Sequence, residues 1–419
     1  MLEKSQNNNS TLEELTSTGE GAGLESEKQD SLEDSELQPF DPALIDVVTQ
    51  IRTIDSLLSR LKFGELDLSP DFQRRGNLWN NERKTSLIES LLLRIPIPSL
   101  YVSEDEDGDY AVVDGLQRLC AISHFVQVSD LNKAVNSKLD PLRLCDSGLK
   151  SLKEHSNKSF EELPRQFQRR IIETELTLHI IRANTPSAVK FNIFSRINQG
   201  GLPLKAQEIR NAIYHQGIWR PMIRILAESK EFLDATEHKI KGERMEDMEL
   251  ILRVIALYDR NKPRLSKENL DDFLNDFVEE KCIHWEESKW QQVFKDLKKS
   301  MNAATQIFGE YAFRKYYNST ETRKPINRGL FEAKIATLAL YDDKKINQLI
   351  RNKHLILKKY EDLFNLTDYE LDDILNDNEE YARKKLIIEF NRSISSATGK
   401  GWASNKRLEI FDKIFDEAS

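Results

Sequence analysis

The hydrophobic pattern of the chain changes near residue 216, and this change constrains the fold more than any other feature. Before it, runs of β-forming residues alternate with stretches of helical spacing; the runs are Ser99–Ser103, Asp109–Val113 and Glu175–Arg182. After it, apolar residues recur every three or four positions, as on one face of a helix. The sequence therefore predicts an α+β fold, with a small mixed sheet in a domain at about 45–215 and a predominantly α-helical domain at about 218–419.

The first forty residues differ in composition from the rest. Ten acidic residues against Lys4 and Lys28 give this segment a net charge of -8, out of -9 for the whole chain, and its first aromatic residue is Phe40. Such a segment buries too little apolar surface to offset the entropy lost on ordering. We therefore predict that 1–40 is a disordered acidic tail and that the rest of the chain is nearly neutral, so that any basic site is local.

Cysteine spacing and hydropathy exclude several classes of protein. The three cysteines, Cys120, Cys145 and Cys282, are far apart and form no C-x-x-C pair. A disulfide framework and a structural zinc site are therefore not expected, and a reducing cytoplasm is the predicted compartment. No apolar run approaches the ~20 residues of a membrane span, so no membrane interaction is predicted. The sequence also contains no Walker-type phosphate loop and no G-x-S-x-G hydrolase motif.

A candidate phosphate site lies at Asp114-Gly115-Leu116-Gln117-Arg118, where a predicted strand meets a predicted helix. A glycine turn before a helix gathers backbone N–H groups at the positive end of the helix, which suits an anion. Gln117 and Arg118 would add donors, and Asp114 could hold Mg²⁺ or orient water. The alternative is a plain strand–turn–helix, in which Asp114 caps the helix and Arg118 is solvated.

A second cluster contains Arg74 and Arg75, beside Gly76 and Trp79. Adjacent arginines next to an aromatic residue suit phosphate binding or base stacking. The alternative is a solvated basic loop. A similar FQRR run at 167–170 falls in a predicted helix, where we interpret it as a charged face without a functional role.

A third cluster begins at Asn198 and includes the Gly200-Gly201 pair, which permits close backbone approach between two predicted helices. Three polar residues that follow share one helical face, by their i, i+3, i+4 spacing: Gln207, Arg210 and Asn211. This face could line a nucleotide pocket. A helix hairpin with ordinary capping is the alternative.

Two runs resemble, in the same order, the amino-terminal domain of the GmrSD modification-dependent restriction endonucleases. They are LSPDFQRRGNLWNNERKTSLIESLLLRIPIPSLYVSEDEDGDYAVVDGLQRLCAISHF and FSRINQGGLPLKAQEIRNAIYH. The family motif D-G-Q-Q-R stands here at Asp114 to Arg118, with Leu116 in place of the first glutamine. The resemblance covers about residues 50–215 and implies a fold similar to ParB and sulfiredoxin.

The resemblance implies nucleotide binding or hydrolysis at this turn with a divalent metal, linked in some family members to DNA nicking or restriction. It assigns catalytic roles to Asp114, Gln117 and Arg118, with Asp114 also the metal ligand. The residues expected to bind the nucleotide are Arg74, Gly115, Asn198, Gly200, Gly201, Gln207, Arg210 and Asn211.

The predicted function is thus hydrolysis of a nucleoside triphosphate with Mg²⁺, with possible DNA endonuclease activity, in DNA restriction or phage defence. The predicted partners are the nucleotide, DNA and other defence proteins. The second half of the chain contains no H-x-x-P nuclease motif, so we do not expect the second nuclease centre of the longer restriction proteins. The alternative function is a non-catalytic module, in which nucleotide regulates the binding of DNA or a protein partner.

Overall fold

The computed structural model describes residues 13–15, 21–26, 44–68, 79–197, 205–240, 242, 244–259, 269–315, 324–364 and 378–419. The chain divides into two compact units. One unit comprises Leu37–His215 with Glu243–Met245, and we call it the sheet unit. The other comprises Met1–Glu36, Gln216–Gly242 and Glu246–Ser419, and we call it the helical unit.

The sheet unit contains a five-stranded mixed sheet, which confirms the predicted α+β class. Its strands are β3 (Val47–Thr53), β4 (Leu66–Asp67), β5 (Leu100–Glu104), β6 (Tyr110–Asp114) and β7 (Glu175–Ile181). They lie in the order β3-β7-β5-β6-β4. The pairs β3–β7 and β5–β6 are antiparallel, whereas β5–β7 and β4–β6 are parallel.

Seven helices accompany this sheet in the described part of the unit. They are α1 (Ile54–Phe63), α2 (Asn81–Leu92), α3 (Leu116–Val126), α4 (Val128–Ala134), α5 (Arg165–Ile172), α6 (Ser187–Ile197) and α7 (Ala206–Ile213). Helix α2 begins at Asn81, because the Asn80 side chain caps it by accepting a hydrogen bond from the Arg83 backbone N–H at 2.9 Å.

One face of the sheet builds the core of this unit. Leu100, Val102 and Val112 point into it, as do alternate residues of β7, namely Leu176, Leu178 and Ile180. Apolar side chains of α1, α2 and α3 complete the same cluster; among them are Leu57, Leu61, Ile88, Leu91, Leu119 and Ile122. On the other side, α7 packs against β6 and α6 packs against α7. The core thereby fixes the junction between β6 and α3.

The strands of the central hairpin and β7 are predicted to within a residue, but β3 is not predicted. Strand β3 lies at an edge of the sheet and pairs with β7 alone among the described strands. Val47 is 39% exposed and Ile51 is 65% exposed, so its outer apolar residues are not buried by the fold. An edge strand with apolar and polar residues on both faces carries no clear alternation, which explains why the sequence pattern misses it.

The helical unit contains helices throughout its described residues beyond 216. They are α8 (Trp219–Ala227), α9 (Lys230–Ala235), α10 (Glu246–Tyr258), α11 (Leu270–Glu280), α12 (Glu287–Phe308), α13 (Arg328–Ala339), α14 (Asp343–Arg351), α15 (Lys353–Asp362), α16 (Asn378–Ser395) and α17 (Gly401–Asp416). Helix α13 is buried along its whole length and packs against α10, α12 and α17. No helix in the described ranges is long and apolar enough to cross a membrane.

The prediction of a disordered tail at 1–40 is wrong for the part of it that the structure describes. Two short strands, β1 (Glu13–Leu15) and β2 (Gly21–Glu25), pair with each other. Leu24 is fully buried, and the backbone N–H of Glu25 donates to the Ile326 carbonyl at 2.8 Å. Composition averaged over forty residues hides one buried leucine and one paired glutamate. The tail residues other than 13–15 and 21–26 lie outside the described ranges.

Candidate functional site

The junction between β6 and α3 requires glycine at position 115. Gly115 has φ 95°, a left-handed conformation, and directly precedes α3 without a side-chain cap. A Cβ atom at this position would lie 2.1 Å from Leu100 Cδ2 and 3.2 Å from Arg118 Nη2. The interpretation of Asp114 as the helix cap is therefore wrong: Asp114 ends the strand, and the start of α3 has no capping side chain.

Arg118 is largely buried and holds this turn together. Its side chain is 12% exposed, and its Nη2 donates to Asp114 Oδ2 at 2.9 Å. Its Nη1 donates to the Pro98 carbonyl and, at 3.1 Å, to the Ser99 carbonyl. Burial lowers the pKa of the Arg118 guanidinium, and the Asp114 carboxylate opposes that shift. The alternative of a solvated Arg118 is thus also wrong.

The Asp114 carboxylate remains reachable although it accepts a hydrogen bond from Arg118. Its side chain is 40% exposed, and the Arg118 bond uses Oδ2. A β-bulge sets its direction: Tyr101 pairs with Asp114 whereas Val102 pairs with Val112, so Val113 is the extra residue of β6. The bulge therefore places Asp114, rather than Val113, beside Tyr101 at the end of the strand.

Gln117 connects the first turn of α3 to the start of α2. Its Oε1 accepts a hydrogen bond from the Trp79 backbone N–H at 3.1 Å, and the Arg83 guanidinium lies 4.5 Å from the Trp79 ring centre. Residues 69–78 precede Trp79, and Arg74 lies among them, outside the described residues. The structure thus joins Gln117 to Asp114 and Arg118 in one turn but does not test the prediction for Arg74.

The packing of Leu116 shows how the fold accommodates leucine in place of the first glutamine of the family motif. Its side chain is partly buried and packs against the hydrophobic core of the sheet unit. A glutamine at this position would bring an amide toward apolar neighbours, whereas leucine adds apolar contact. The glycine turn, the buried arginine and the polar Gln117 are all retained around it.

The part of the chain that contains this turn also matches a known protein family. Residues 54–215 match the family model of the GmrSD restriction endonuclease, N-terminal domain. The resemblance predicted from the sequence is thereby confirmed, and we call residues 54–215 the GmrSD-like domain. This match supports a function related to DNA restriction and phage defence. No curated protein and no solved structure matches the chain.

The polar face on α7 of the GmrSD-like domain is completely buried. Gln207, Arg210 and Asn211 are each 0% exposed. Arg210 Nη1 donates to Gln207 Oε1 at 3.1 Å, and Gln207 Nε2 donates to Asn211 Oδ1 at 2.9 Å. Asn211 in turn donates to the sulfur of Met245 at 3.2 Å. The three side chains share a face as predicted, but their burial favours structural packing over contact with a ligand.

The loop between α6 and α7 is not described, so the predictions for Asn198, Gly200 and Gly201 lie outside the described residues. The FQRR run on α5 differs in part from its prediction. Arg169 is exposed and pairs with Glu173 at 3.0 Å, as expected of a charged face. Arg170, in contrast, donates to the Leu92 carbonyl at 2.6 Å and thereby holds the end of α2.

A divalent metal at this turn would have few protein ligands. Among the described residues, no group of three or more His, Cys, Asp or Glu side chains could hold a metal ion. Asp114 offers one carboxylate, of which Oδ2 already accepts from Arg118. Mg²⁺ commonly binds through one or two carboxylates and the phosphates of its substrate, with water completing the shell. The turn therefore fits Mg²⁺ that arrives with a nucleotide better than an ion held by the protein alone.

Proposed function

We propose that the GmrSD-like domain binds a nucleoside triphosphate, with the phosphates at the Asp114–Arg118 turn, and hydrolyses it with Mg²⁺. The observation that carries this proposal is Gly115, which stands at positive φ directly before α3 and, having no side chain, leaves the start of the helix uncapped. The first backbone N–H groups of a helix and its dipole attract an anion at this point. Only glycine fits there, so the turn can bring backbone N–H groups close to phosphate oxygens.

Arg118 supports the proposal through rigidity as well as charge. Three hydrogen bonds hold its guanidinium between Asp114 and the backbone before β5. A group that is fixed before the ligand arrives loses little entropy when it binds. In this proposal a phosphate oxygen accepts from Arg118, Asp114 would hold Mg²⁺ together with the phosphates, and Gln117 holds Trp79 beside the turn.

The second candidate is a nucleotide-responsive module without hydrolysis. It is favoured by the scarcity of metal ligands in the described residues and by the engagement of Asp114 with Arg118. In this case nucleotide binding would change the affinity of the protein for DNA or for a partner protein. In both candidate functions the nucleotide binds with its phosphates at the same turn. They differ in whether the bound nucleotide is hydrolysed.

The matched family is named after a restriction endonuclease. We therefore propose DNA and other defence proteins as further partners. The acidic balance of the chain lies mostly in residues 1–40, so it does not oppose DNA binding by the rest. Incubating the full chain with plasmid DNA, with and without nucleotide and Mg²⁺, tests this part. Nucleotide-dependent nicking supports the enzyme, whereas no binding and no cleavage of DNA contradict a direct action on DNA.

The test of the site compares nucleotide affinity and phosphate release in wild type, Asp114→Asn and Asp107→Asn. Asp107 is an exposed aspartate in the turn at the other end of the same hairpin, so its variant is the matched control. We expect Asp114→Asn to bind nucleotide within a few-fold of wild type but to release phosphate on the order of a hundredfold more slowly.

Three results would change this conclusion. Equal phosphate release in wild type and Asp114→Asn contradicts the catalytic role of Asp114. Binding without hydrolysis in the wild type selects the nucleotide-responsive module. The absence of nucleotide binding in the wild type refutes both candidates.

A further inference from the structure

A row of four residues crosses the sheet and ends at the candidate phosphate site. Thr49 of β3 pairs with His179 of β7, and His179 pairs with Tyr101 of β5. Tyr101 pairs in turn with Asp114 of β6, because of the bulge in that strand. Directly paired residues on neighbouring strands place their side chains on the same face. The row is therefore continuous from the edge strand to the turn.

This row lies on the face of the sheet opposite the core. The sequence neighbours of Tyr101 and His179 point into the core; they are Leu100, Val102, Leu178 and Ile180. Burial decreases along this outer face of β7, since Ile181 is fully buried, His179 is half-buried and Thr177 is exposed. The row thus lies at the boundary between the buried part and the exposed part of this face.

The two rings in the row form a fixed aromatic platform. The ring centres of Tyr101 and His179 are 4.6 Å apart, with an angle of 31° between their planes. The imidazole is also held by a hydrogen bond between its Nδ1 and Thr49 Oγ1, at 3.0 Å. This bond directs the opposite nitrogen, Nε2, away from Thr49. Rings with centres this close stack on each other, and a further flat ring can extend such a stack on an outer face.

We propose that this platform, formed by Tyr101 and His179, binds the base of the nucleotide whose phosphates lie at the Asp114–Arg118 turn. The proposal rests on the proposed function. Neighbouring strands lie about 4.8 Å apart, so the His179 backbone is about 10 Å from Asp114 across the sheet. A nucleotide that lies along the row would place its phosphates at the turn and its base against the outer face of Tyr101, with the His179 ring supporting Tyr101 from behind.

The experiment measures the affinity of the full chain for ATP, GTP, CTP and UTP, and for inorganic tripolyphosphate, each with Mg²⁺. The variants are His179→Ala and Tyr101→Leu, which remove one ring each, and Tyr101→Phe, which keeps the ring. Thr177→Ala is the matched control, since Thr177 is an exposed residue on the same face of β7, two positions from His179. Melting curves for every variant establish that it is folded.

We expect Tyr101→Leu to weaken binding of the preferred nucleotide about 5- to 150-fold, as loss of a base-stacking ring does, and His179→Ala to weaken it less, because the His179 ring supports Tyr101. Binding of tripolyphosphate should stay unchanged in both, because it has no base. Tyr101→Phe, which keeps the ring, should lose less affinity than Tyr101→Leu, and Thr177→Ala should bind nucleotide like the wild type. A variant that does not fold is replaced by His179→Gln or Tyr101→His, for which partial loss of nucleotide affinity is expected.

Two outcomes overturn the platform while leaving the phosphate site in place. One is wild-type nucleotide affinity in both ring-removing variants. The other is an equal loss of affinity for nucleotide and for tripolyphosphate, which would mean that the rings act on the turn and not on the base. If the wild type binds neither ligand, the proposed function itself fails, and the platform is refuted with it.

Discussion

The position of Arg118 can be predicted from the sequence, whereas its hydrogen-bond partners depend on the fold. Its place in the first turn after a glycine can be predicted, because strand, turn and helix signals are all local. Its bonds to the Pro98 and Ser99 carbonyls cannot, because they join residues about twenty positions apart after β5 and β6 have paired. The same limit applies to Gln117, whose partner Trp79 lies 38 positions away.

At this scale, Arg118→Ala should weaken triphosphate binding roughly ten- to a hundredfold, the value of a charge-assisted hydrogen bond. It should also lower the melting temperature, because Asp114 and two carbonyls lose their donor. Arg169→Ala is the control, since the Arg169 side chain is 61% exposed and pairs with the exposed Glu173 on the surface. Calorimetric titration and thermal melting measure both effects. Equal changes in the two variants would contradict the assignment of Arg118 to the site.

Local elements are predicted where one face carries a clear periodicity, and they are missed where it does not. The hairpin strands and β7 alternate regularly, and their bounds agree with the sequence to within a residue; α3 begins directly after the glycine turn, as predicted. The bulge at Val113 and the edge strand β3 leave no such pattern. The polar face of α7 was visible in the sequence, but its burial depends on tertiary packing that no local spacing reveals.

The turn between β6 and α3 makes a prediction of its own. Gly115→Ala should destabilise the fold by roughly 1–3 kcal/mol or more, because it adds a Cβ at positive φ against buried Leu100. Gly64→Ala is the matched control, since Gly64 also has a positive φ, 81°, but nothing lies within 4 Å of its added Cβ. It should cost only the backbone strain, roughly 1–2 kcal/mol. Denaturant unfolding compares the two, and a smaller loss in Gly115→Ala would contradict the close packing of this turn.

Helix α13 carries a buried lysine that makes the stability of the helical unit depend on pH. Lys334 is fully buried, its Nζ donates to the Ala312 carbonyl at 2.7 Å, and it lies 3.7 Å from the ring centres of Phe308 and Tyr360. Burial lowers its pKa well below 10.5. The unfolded chain therefore binds more protons than the folded chain between the two pKa values, and the free energy of unfolding rises with pH across that window.

Replacing this lysine should flatten that dependence. We expect Lys334→Met to show a smaller rise in the free energy of unfolding as pH increases toward 10.5, measured by denaturant unfolding over a pH series. Lys413→Met is the control, because the Lys413 side chain is 66% exposed and its replacement should leave the slope unchanged. Identical slopes in wild type and Lys334→Met would show that Lys334 does not titrate below its ordinary range.

For the whole molecule, the segment at 21–26 corrects the view that composition alone gives of the acidic tail. Leu24 is buried in the helical unit, and the Glu25 carboxylate accepts from Lys315 Nζ at 2.6 Å and from Asn327 Nδ2 at 2.9 Å. A net charge of -8 over forty residues correctly indicates a polar segment. It does not reveal that two of its residues have buried partners about three hundred positions away.

This segment should therefore contribute to stability. Leu24→Ala should lower the free energy of unfolding by about 2–4 kcal/mol, the usual loss for a buried leucine. Ser26→Ala is the matched control, because Ser26 is exposed two positions further on. Thermal and denaturant unfolding of both variants measure the difference. A Leu24→Ala variant as stable as wild type would mean that the segment does not dock in solution.

Backbone amide hydrogen exchange tests directly, without any substitution, whether a nucleoside triphosphate binds at the start of α3. The full chain is measured with Mg²⁺ alone and with each of the four nucleoside triphosphates at saturating concentration. We expect slower exchange at Gly115 to Arg118 in the presence of the preferred nucleotide, because phosphate oxygens accept hydrogen bonds from these N–H groups. Nucleotide binding that leaves exchange at these four residues unchanged would contradict binding at this turn.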